Sequence, residues 1–372
     1  MMDKIKILIL YEDIGTGHKR TAMALKKAFE KMDGVEAFVE NPLGEKFPSL
    51  SYLTTRIYLK TLKLTPELWG YLYEMERDKI ERRINKLVGI SVYTFIKDYV
   101  LNLKPNAVIC THPFSCSILS HIKRDLNIPI FAILTDYDVH AYWIHHQIDG
   151  YFVGSQEMKS QMNLMGVSDD KINVTGIPID EEFYVKKDKN EIRRKLGFEV
   201  DRPLVMVMGG GLGLGNIKKA VNVIQRHKDL QIAVICGLNK NLKAKIEEIS
   251  DDNVFVYGHV DNVHEFMEAA DVLVTKSGGL TVTEAIIKRL PMIIFDPIPG
   301  QEERNLEFLL KKRIALRIKD IEKLDKKILD LLSDKKKIDE MKERMEEIGI
   351  YNSADKVCSV VINNIKNDAL KV

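Results

Sequence analysis

The chain has 372 residues, of which 45% are hydrophobic and 30% charged, with a formal net charge of +2. This composition excludes disordered and fibrous low-complexity proteins, and the near-neutral balance argues against a dedicated nucleic-acid binder, which would show a strongly basic face. The length suits two domains, each large enough to bury its own core.

The first element is the β-branched run Ile5–Leu10, which reads as a buried strand. It is short and interrupted by Lys6, so it serves neither as a signal-peptide core nor as a bilayer span. No later stretch reaches about 18 uninterrupted apolar residues. Cys110, Cys116, Cys236 and Cys358 are scattered and form no C-x-x-C pair. That usage predicts a reduced, cytoplasmic chain without disulfides or a zinc site.

After the first strand comes the turn Asp13-Ile14-Gly15-Thr16-Gly17-His18, then Ala22, Leu25, Ala28, Phe29 and Met32 at helical spacing. Between Lys46 and Lys104 there is no strand signal. Aromatic and aliphatic residues, among them Trp69 and Tyr73, alternate with Lys60, Lys63, Arg77, Lys79, Arg82 and Arg83. Two readings stand: a helical insertion packed on the first domain, or a helix lying on an anionic bilayer. Strands are then expected at Ala107–Cys110, Ile130–Leu134 and Tyr151–Val153, each ending in a polar tip. Strand, tip and helix in alternation is the βαβ rhythm of a parallel sheet, with ligands at the carboxyl ends of its strands.

The charged segment from Glu181 to Asp201 reads as an interdomain connection with a short surface helix. The rhythm restarts at Leu204–Met208, Ile232–Cys236, Val254–Tyr257, Val272–Thr275 and Met292–Phe295. A charged helical region follows from Ile321 to Glu347. The expected organisation is a domain over 1–182, a second over 183–350, and a C-terminal helix over 351–372 that crosses back to the first. The active site would lie in the cleft between two similar α/β halves.

Three tips carry chemistry. Gly15-Thr16-Gly17-His18-Lys19-Arg20 lacks the third glycine of a dinucleotide fingerprint and the G-K-[S/T] end of a Walker loop. It leaves His18 at a helix N-terminus, where the dipole disfavours its cation. A neutral imidazole there could be a general base or could cap the turn. Met208 to Asn216 holds five glycines in seven positions, including Gly210 and Gly211; it reads as a phosphate cradle or as a tight turn. The third tip is Thr275-Lys276-Ser277-Gly278-Gly279-Leu280-Thr281-Val282-Thr283-Glu284-Ala285, resumed by Asp296-Pro297-Ile298-Pro299-Gly300-Gln301-Glu302-Glu303-Arg304-Asn305. It offers anion-ready helix starts, with Glu284, Gln301, Glu302 and Asn305 as partners for sugar hydroxyls.

The third tip resembles the donor motifs of inverting GT-B lipid glycosyltransferases, the diacylglycerol glucosyltransferases and monogalactosyldiacylglycerol synthases. Gly258-His259-Val260-Asp261 is similar to their uracil-contacting turn, and Gly15-Thr16-Gly17-His18 to their Gly-x-Gly-His motif. Thr135-Asp136 with His140 and Trp143 is similar to the lipid-glycosyltransferase pattern, and Gly176-Ile177-Pro178-Ile179 to the interdomain junction. The resemblance implies an α/β GT-B fold of two Rossmann-like, doubly wound domains. Val260 would lie against the base and Glu284 on the ribose. Gly279, Leu280 and Thr281 would hold the diphosphate, alongside Ser277, Gly278, Gly17, Gly210 and Gly211 as further donor contacts. Gln301, Glu302 and Asn305 would face the sugar. His18 would be the base, with Asp136 as orienting group or alternative base. Trp69, Tyr73, His140 and Trp143 would serve the acceptor and membrane side.

The implied reaction moves a hexose, glucose favoured, from a UDP-sugar to diacylglycerol with inversion. The implied partners are the UDP-sugar, diacylglycerol and an anionic membrane surface, with no nucleic acid. No cofactor and no metal are implied. The expected location is cytoplasmic, peripherally bound to the inner face of the cell membrane. The competing readings are a peptidoglycan-type lipid N-acetylglucosaminyltransferase, a UDP-N-acetylglucosamine epimerase and a non-catalytic UDP-sugar sensor.

Overall fold

The computed structural model describes residues 4–13, 15–46 and 92–369. The chain divides into two compact units, Met1–Asp180 with Asn352–Val372, and Glu181–Tyr351.

The first unit is built on six parallel strands: β1 (Ile5–Leu10), β2 (Val35–Glu40), β3 (Ala107–Cys110), β4 (Ile130–Ile133), β5 (Gly150–Val153) and β6 (Ile172–Val174). Their spatial order is β2-β1-β3-β4-β5-β6. Side chains alternate across a strand, so β1 serves two cores. Ile7 and Ile9 pack with Leu25 and Phe29 of the helix Gly17–Glu30. Leu8 and Leu10 face the opposite layer, with Val100 of the helical residues 92–103 and with Ile118 and Leu119 of the helix Pro113–Leu126. The C-terminal helix Ser353–Ala369 belongs to this unit, adding Val357, Cys358, Val361 and Ile362 to the core around Ile7.

The second unit repeats the plan with β7 (Leu204–Met208), β8 (Gln231–Ile235), β9 (Val254–Tyr257), β10 (Val272–Thr275), β11 (Met292–Ile294) and β12 (Ala315–Arg317). The order is β12-β11-β10-β7-β8-β9, again all parallel. Both sheets are doubly wound α/β sheets, as expected. In each, the chain leaves its first strand to one side and returns on the other. The switch points are therefore the carboxyl ends of β1 and β3 in one unit and of β7 and β10 in the other, where such sheets bind ligands.

Three strands were not foreseen: β2, β6 and β12. The charged region expected from Ile321 to Glu347 is two helices, Leu324–Ser333 and Lys335–Ile348, broken at Asp334, whose side chain accepts the Lys337 N–H at 3.1 Å. The expected surface helix is Lys189–Leu196, but its charges are not simply solvated. Arg193 is buried, and Lys187 and Lys195 both pair with the buried Glu265. Among the described residues, no helix is long and apolar enough to cross a membrane.

Candidate active site

At the first switch point the register sets Leu10 opposite Cys110, so the two chains leave the sheet at the same level. Thr111 then bridges them. Its N–H donates to the Leu10 carbonyl at 3.0 Å, and its hydroxyl lies 3.2 Å from the same oxygen and 3.1 Å from the His18 carbonyl. His18 is the second residue of the helix Gly17–Glu30, and its Nδ1 is 2.6 Å from the Thr111 carbonyl. A carbonyl can only accept, so Nδ1 carries the hydrogen and Nε2 presents its lone pair. Thr135 Oγ1, at the tip of β4, lies 3.3 Å from the same Nδ1. Burial pulls the His18 imidazolium down to about 4, more strongly than the Thr111 carbonyl raises it. Desolvation, rather than the helix dipole expected from the sequence, dominates this lowering.

His112 completes this tip. Its Nδ1 accepts the Phe114 N–H at 3.2 Å, capping the helix Pro113–Leu126, so its Nε2 carries the hydrogen. Its ring meets His18 edge-on, with centroids 4.6 Å apart. Burial, then the neighbouring His18, hold its imidazolium well below the ordinary value. Two imidazoles so close cannot both be charged, which favours the neutral form of each. Glu12 is a further buried group here: it accepts the Ser115 hydroxyl at 2.9 Å, and burial pushes its carboxyl up to about 8. Sequence reasoning missed Glu12 and gave His112 no specific role; each is a polar residue just beyond a strand end, which was the available signal.

Of the other residues expected here, Gly17 opens the His18 helix, and Asp136 is 8% exposed beside Thr135. His140 Nδ1 accepts the Tyr142 N–H at 3.2 Å and caps the short turn Ala141–Trp143. Trp143, expected on the acceptor and membrane side, is 5% exposed, in the core cluster that also holds Cys116 and Ile144; the turn that carries it lies against the helix Pro113–Leu126. Trp69 and Tyr73 lie outside the described residues.

At the second switch point, Thr275 of β10 stands opposite both Met208 of β7 and Ile294 of β11. The glycine-rich loop after β7 folds onto itself: the Gly213 and Leu214 N–H groups donate to the Gly210 and Gly209 carbonyls, both at 3.0 Å. A Cβ on Gly209 would stand 2.0 Å from the Leu214 oxygen, whereas one on Gly210 would meet nothing within 4 Å. The glycine richness is thus largely a packing requirement, and two of the amides read as a phosphate cradle are already used within the loop. Gly209→Ala is expected to destabilise the protein by about 2 kcal/mol or more through overpacking. Gly210→Ala should cost only about 1 kcal/mol, for its left-handed backbone (φ +70°). Thermal unfolding of the two variants checks this, and equal losses would refute the distinction.

After β10 the helix Gly279–Ile287 begins at Gly278 with no side-chain cap, which leaves its first amides, including those of Gly279, Leu280 and Thr281, as donors suited to an anion. Glu284 lies in the same helix, 1% exposed. The helix Gln301–Lys311 starts beside it and is stitched to it through Ser277. Ser277 Oγ donates to the Glu302 carbonyl at 2.6 Å, and Asn305 Nδ2 donates to the Ser277 carbonyl at 2.9 Å. Ser277 and Asn305 are fully buried, so these two side chains shape the loop, while Gln301 and Glu302 are only partly buried. Asn216, which ends the glycine-rich stretch, donates through both its backbone and side-chain nitrogens to Asp296 Oδ2, at 3.2 and 3.1 Å. Gly211 and Val260 are part-buried, Gly211 in the glycine-rich loop and Val260 just beyond β9.

Comparison with known proteins gives the family. Residues 18–179 match the family model for monogalactosyldiacylglycerol (MGDG) synthase, and residues 188–349 that for glycosyl transferases group 1. A processive diacylglycerol beta-glucosyltransferase of Bacillus thuringiensis is 30% identical over 97% of this chain and 94% of its own length. The protein of the same name from Bacillus licheniformis is 28% identical over 96% and 94%. Among solved structures, an S. aureus MnaA–UDP complex shares the fold, with a TM-score of 0.65 and 15% identity over 99% of this chain and 98% of that one. With two doubly wound units, a family model on each and full-length relatives, the chain belongs to the diacylglycerol glucosyltransferase and monogalactosyldiacylglycerol synthase family of GT-B lipid glycosyltransferases.

Proposed function

We propose that this glycosyltransferase moves a hexose, glucose by preference, from a UDP-sugar to the hydroxyl of diacylglycerol at an anionic membrane surface, inverting the anomeric centre. The full-length similarity to relatives named processive diacylglycerol beta-glucosyltransferase carries this reading. In the proposed step His18 Nε2 takes the proton of the acceptor hydroxyl as its oxygen bonds to the anomeric carbon. The bond from that carbon to the diphosphate oxygen breaks, and UDP leaves with the electron pair. The Thr111 carbonyl on Nδ1 favours the imidazolium that forms. The uncapped amides at Gly279, Leu280 and Thr281 suit the charge that grows on the diphosphate. Gln301 and Glu302 would read the sugar, and Glu284 the ribose.

Incubation with labelled UDP-glucose or UDP-galactose over vesicles of diacylglycerol and anionic phospholipid tests this. The expected product is β-glucosyldiacylglycerol. Release of UDP without a glycolipid, or transfer only to a different acceptor, would count against it.

A further inference from the structure

One ion pair of the second unit lies where the proposed donor sugar would be read, and the inference drawn from it rests on that reading. Lys276 follows β10, and its side chain is 7% exposed. Its stem runs against Gly215, where a Cβ would stand 3.2 Å from Lys276 Cδ. The ammonium is 3.4 Å from Glu302 Oε2, and that same oxygen accepts the Ile298 N–H at 2.7 Å. Ser277 fixes the backbone of Glu302 at the same time. Glu302 Oε1 is turned toward Gly278, 3.8 Å from where a Cβ on that glycine would stand. Gly278 is the residue from which the uncapped helix starts.

Charge decides what this arrangement can bind. A lone buried ammonium at a switch point would suit a diphosphate, but this one is neutralised by Glu302, and a carboxylate repels phosphate. A carboxylate with one oxygen tied and the other directed suits a hydroxyl, which donates to it in a strong charge-assisted bond. We infer that Lys276 is a positioning residue for hexose recognition: with the Ile298 amide it pins one oxygen of Glu302, so that the other is held to read a sugar hydroxyl.

Calorimetry with UDP and with UDP-glucose and UDP-galactose, on the wild type and on Lys276→Met, tests this. The variant should bind UDP-glucose about tenfold more weakly, a loss of one well-made hydrogen bond to a charged group. Its affinity for UDP should fall much less, through the repulsion of an unneutralised Glu302 alone, and the ratio between the two hexoses should move toward one. Lys276→Arg should restore most of the loss. If Lys276→Met does not fold, Glu302→Gln should give the same split between UDP-glucose and UDP. An equal loss for UDP and UDP-glucose would make Lys276 a phosphate contact and overturn the inference, as would no loss for either. A wild type that binds no UDP at all would instead overturn the proposed donor.

Discussion

Replacing His18 with alanine is expected to lower kcat by about 10²–10⁴, the usual contribution of a positioned general base, while UDP binding stays intact. The tautomer is fixed by the Thr111 carbonyl, so Nε2 has no need to reorganise before it takes a proton. The pH dependence follows from the same burial. For His18 as the proposed base the active form is neutral imidazole, and burial holds its conjugate acid down at about 4. The rate should therefore hold from neutral pH down to about 5 and fall tenfold per unit only below about 4. Stability behaves differently. In the unfolded chain the imidazole titrates near 6.5, so below that the unfolded state takes up a proton that the folded state refuses. Folded stability falls across a window in which the rate does not, and His18→Ala should remove that part of the fall. Steady-state kinetics and thermal unfolding from pH 4 to 8 read both. A variant that keeps more than about a tenth of the wild-type kcat would move the base to another group, Asp136 first.

The strands that position His18 and the second switch point could be read from the sequence because both faces of them are buried. Ile5–Leu10, Ala107–Cys110, Leu204–Met208 and Val272–Thr275 are near-continuous apolar runs for that reason. The three strands that could not be read, β2, β6 and β12, all lie at sheet edges. Val35–Glu40 places glutamates among its apolar residues, and Ile172–Val174 and Ala315–Arg317 are three residues each. An edge strand needs less apolar surface and can carry charge. The site shows the same division. The strand tips gave His18 and the loop around Gly278, because a polar residue just beyond an apolar strand is a local signal. The partners that fix them are not local: Thr111 reaches His18 across 93 residues, and Lys276 reaches Glu302 through the crossing of two strand tips. The burial of Trp143 was not legible, because an aromatic beside a polar tip has the same composition whether its turn folds inward or outward.

The largest expected loss of stability lies in a segment whose sequence suggested an interdomain connection with a short surface helix. Arg193 spends its guanidinium on four partners: Nε on the Ala269 carbonyl at 2.9 Å, Nη1 on the carbonyls of Val200 at 2.7 Å and Arg202 at 3.3 Å, and Nη2 on Asp271 Oδ2 at 2.6 Å. Asp271 also accepts Lys189 Nζ at 2.6 Å and the Leu204 N–H at 2.7 Å. Burial alone would raise its carboxyl, but Lys189, the Leu204 amide and Arg193 together hold it below the ordinary value. The side chain of Arg193 is 6% exposed and that of Asp271 26%, so this is a partly buried network, centred on Arg193, that fastens the helix Lys189–Leu196 to the start of β7 and to the residue before β10. Arg193→Ala leaves Asp271 short of its buried partner and the Ala269 and Val200 carbonyls short of this donor, while the Arg202 carbonyl keeps Gln231 Nε2 at 3.2 Å, at a cost of about 3–5 kcal/mol. Arg193→Lys should recover little, because a single ammonium cannot serve a fork of diverging acceptors. Trp143, the tryptophan among the described residues, belongs to the first unit and would report this poorly. Hydrogen exchange at the amides of Leu204–Met208 and Val272–Thr275 reads the second unit directly. Protection there should fall by about two to three decades in Arg193→Ala, with the amides of β1 and β3 unchanged. Protection retained within about tenfold would mean that the network is solvated in practice and contributes no more than an exposed ion pair.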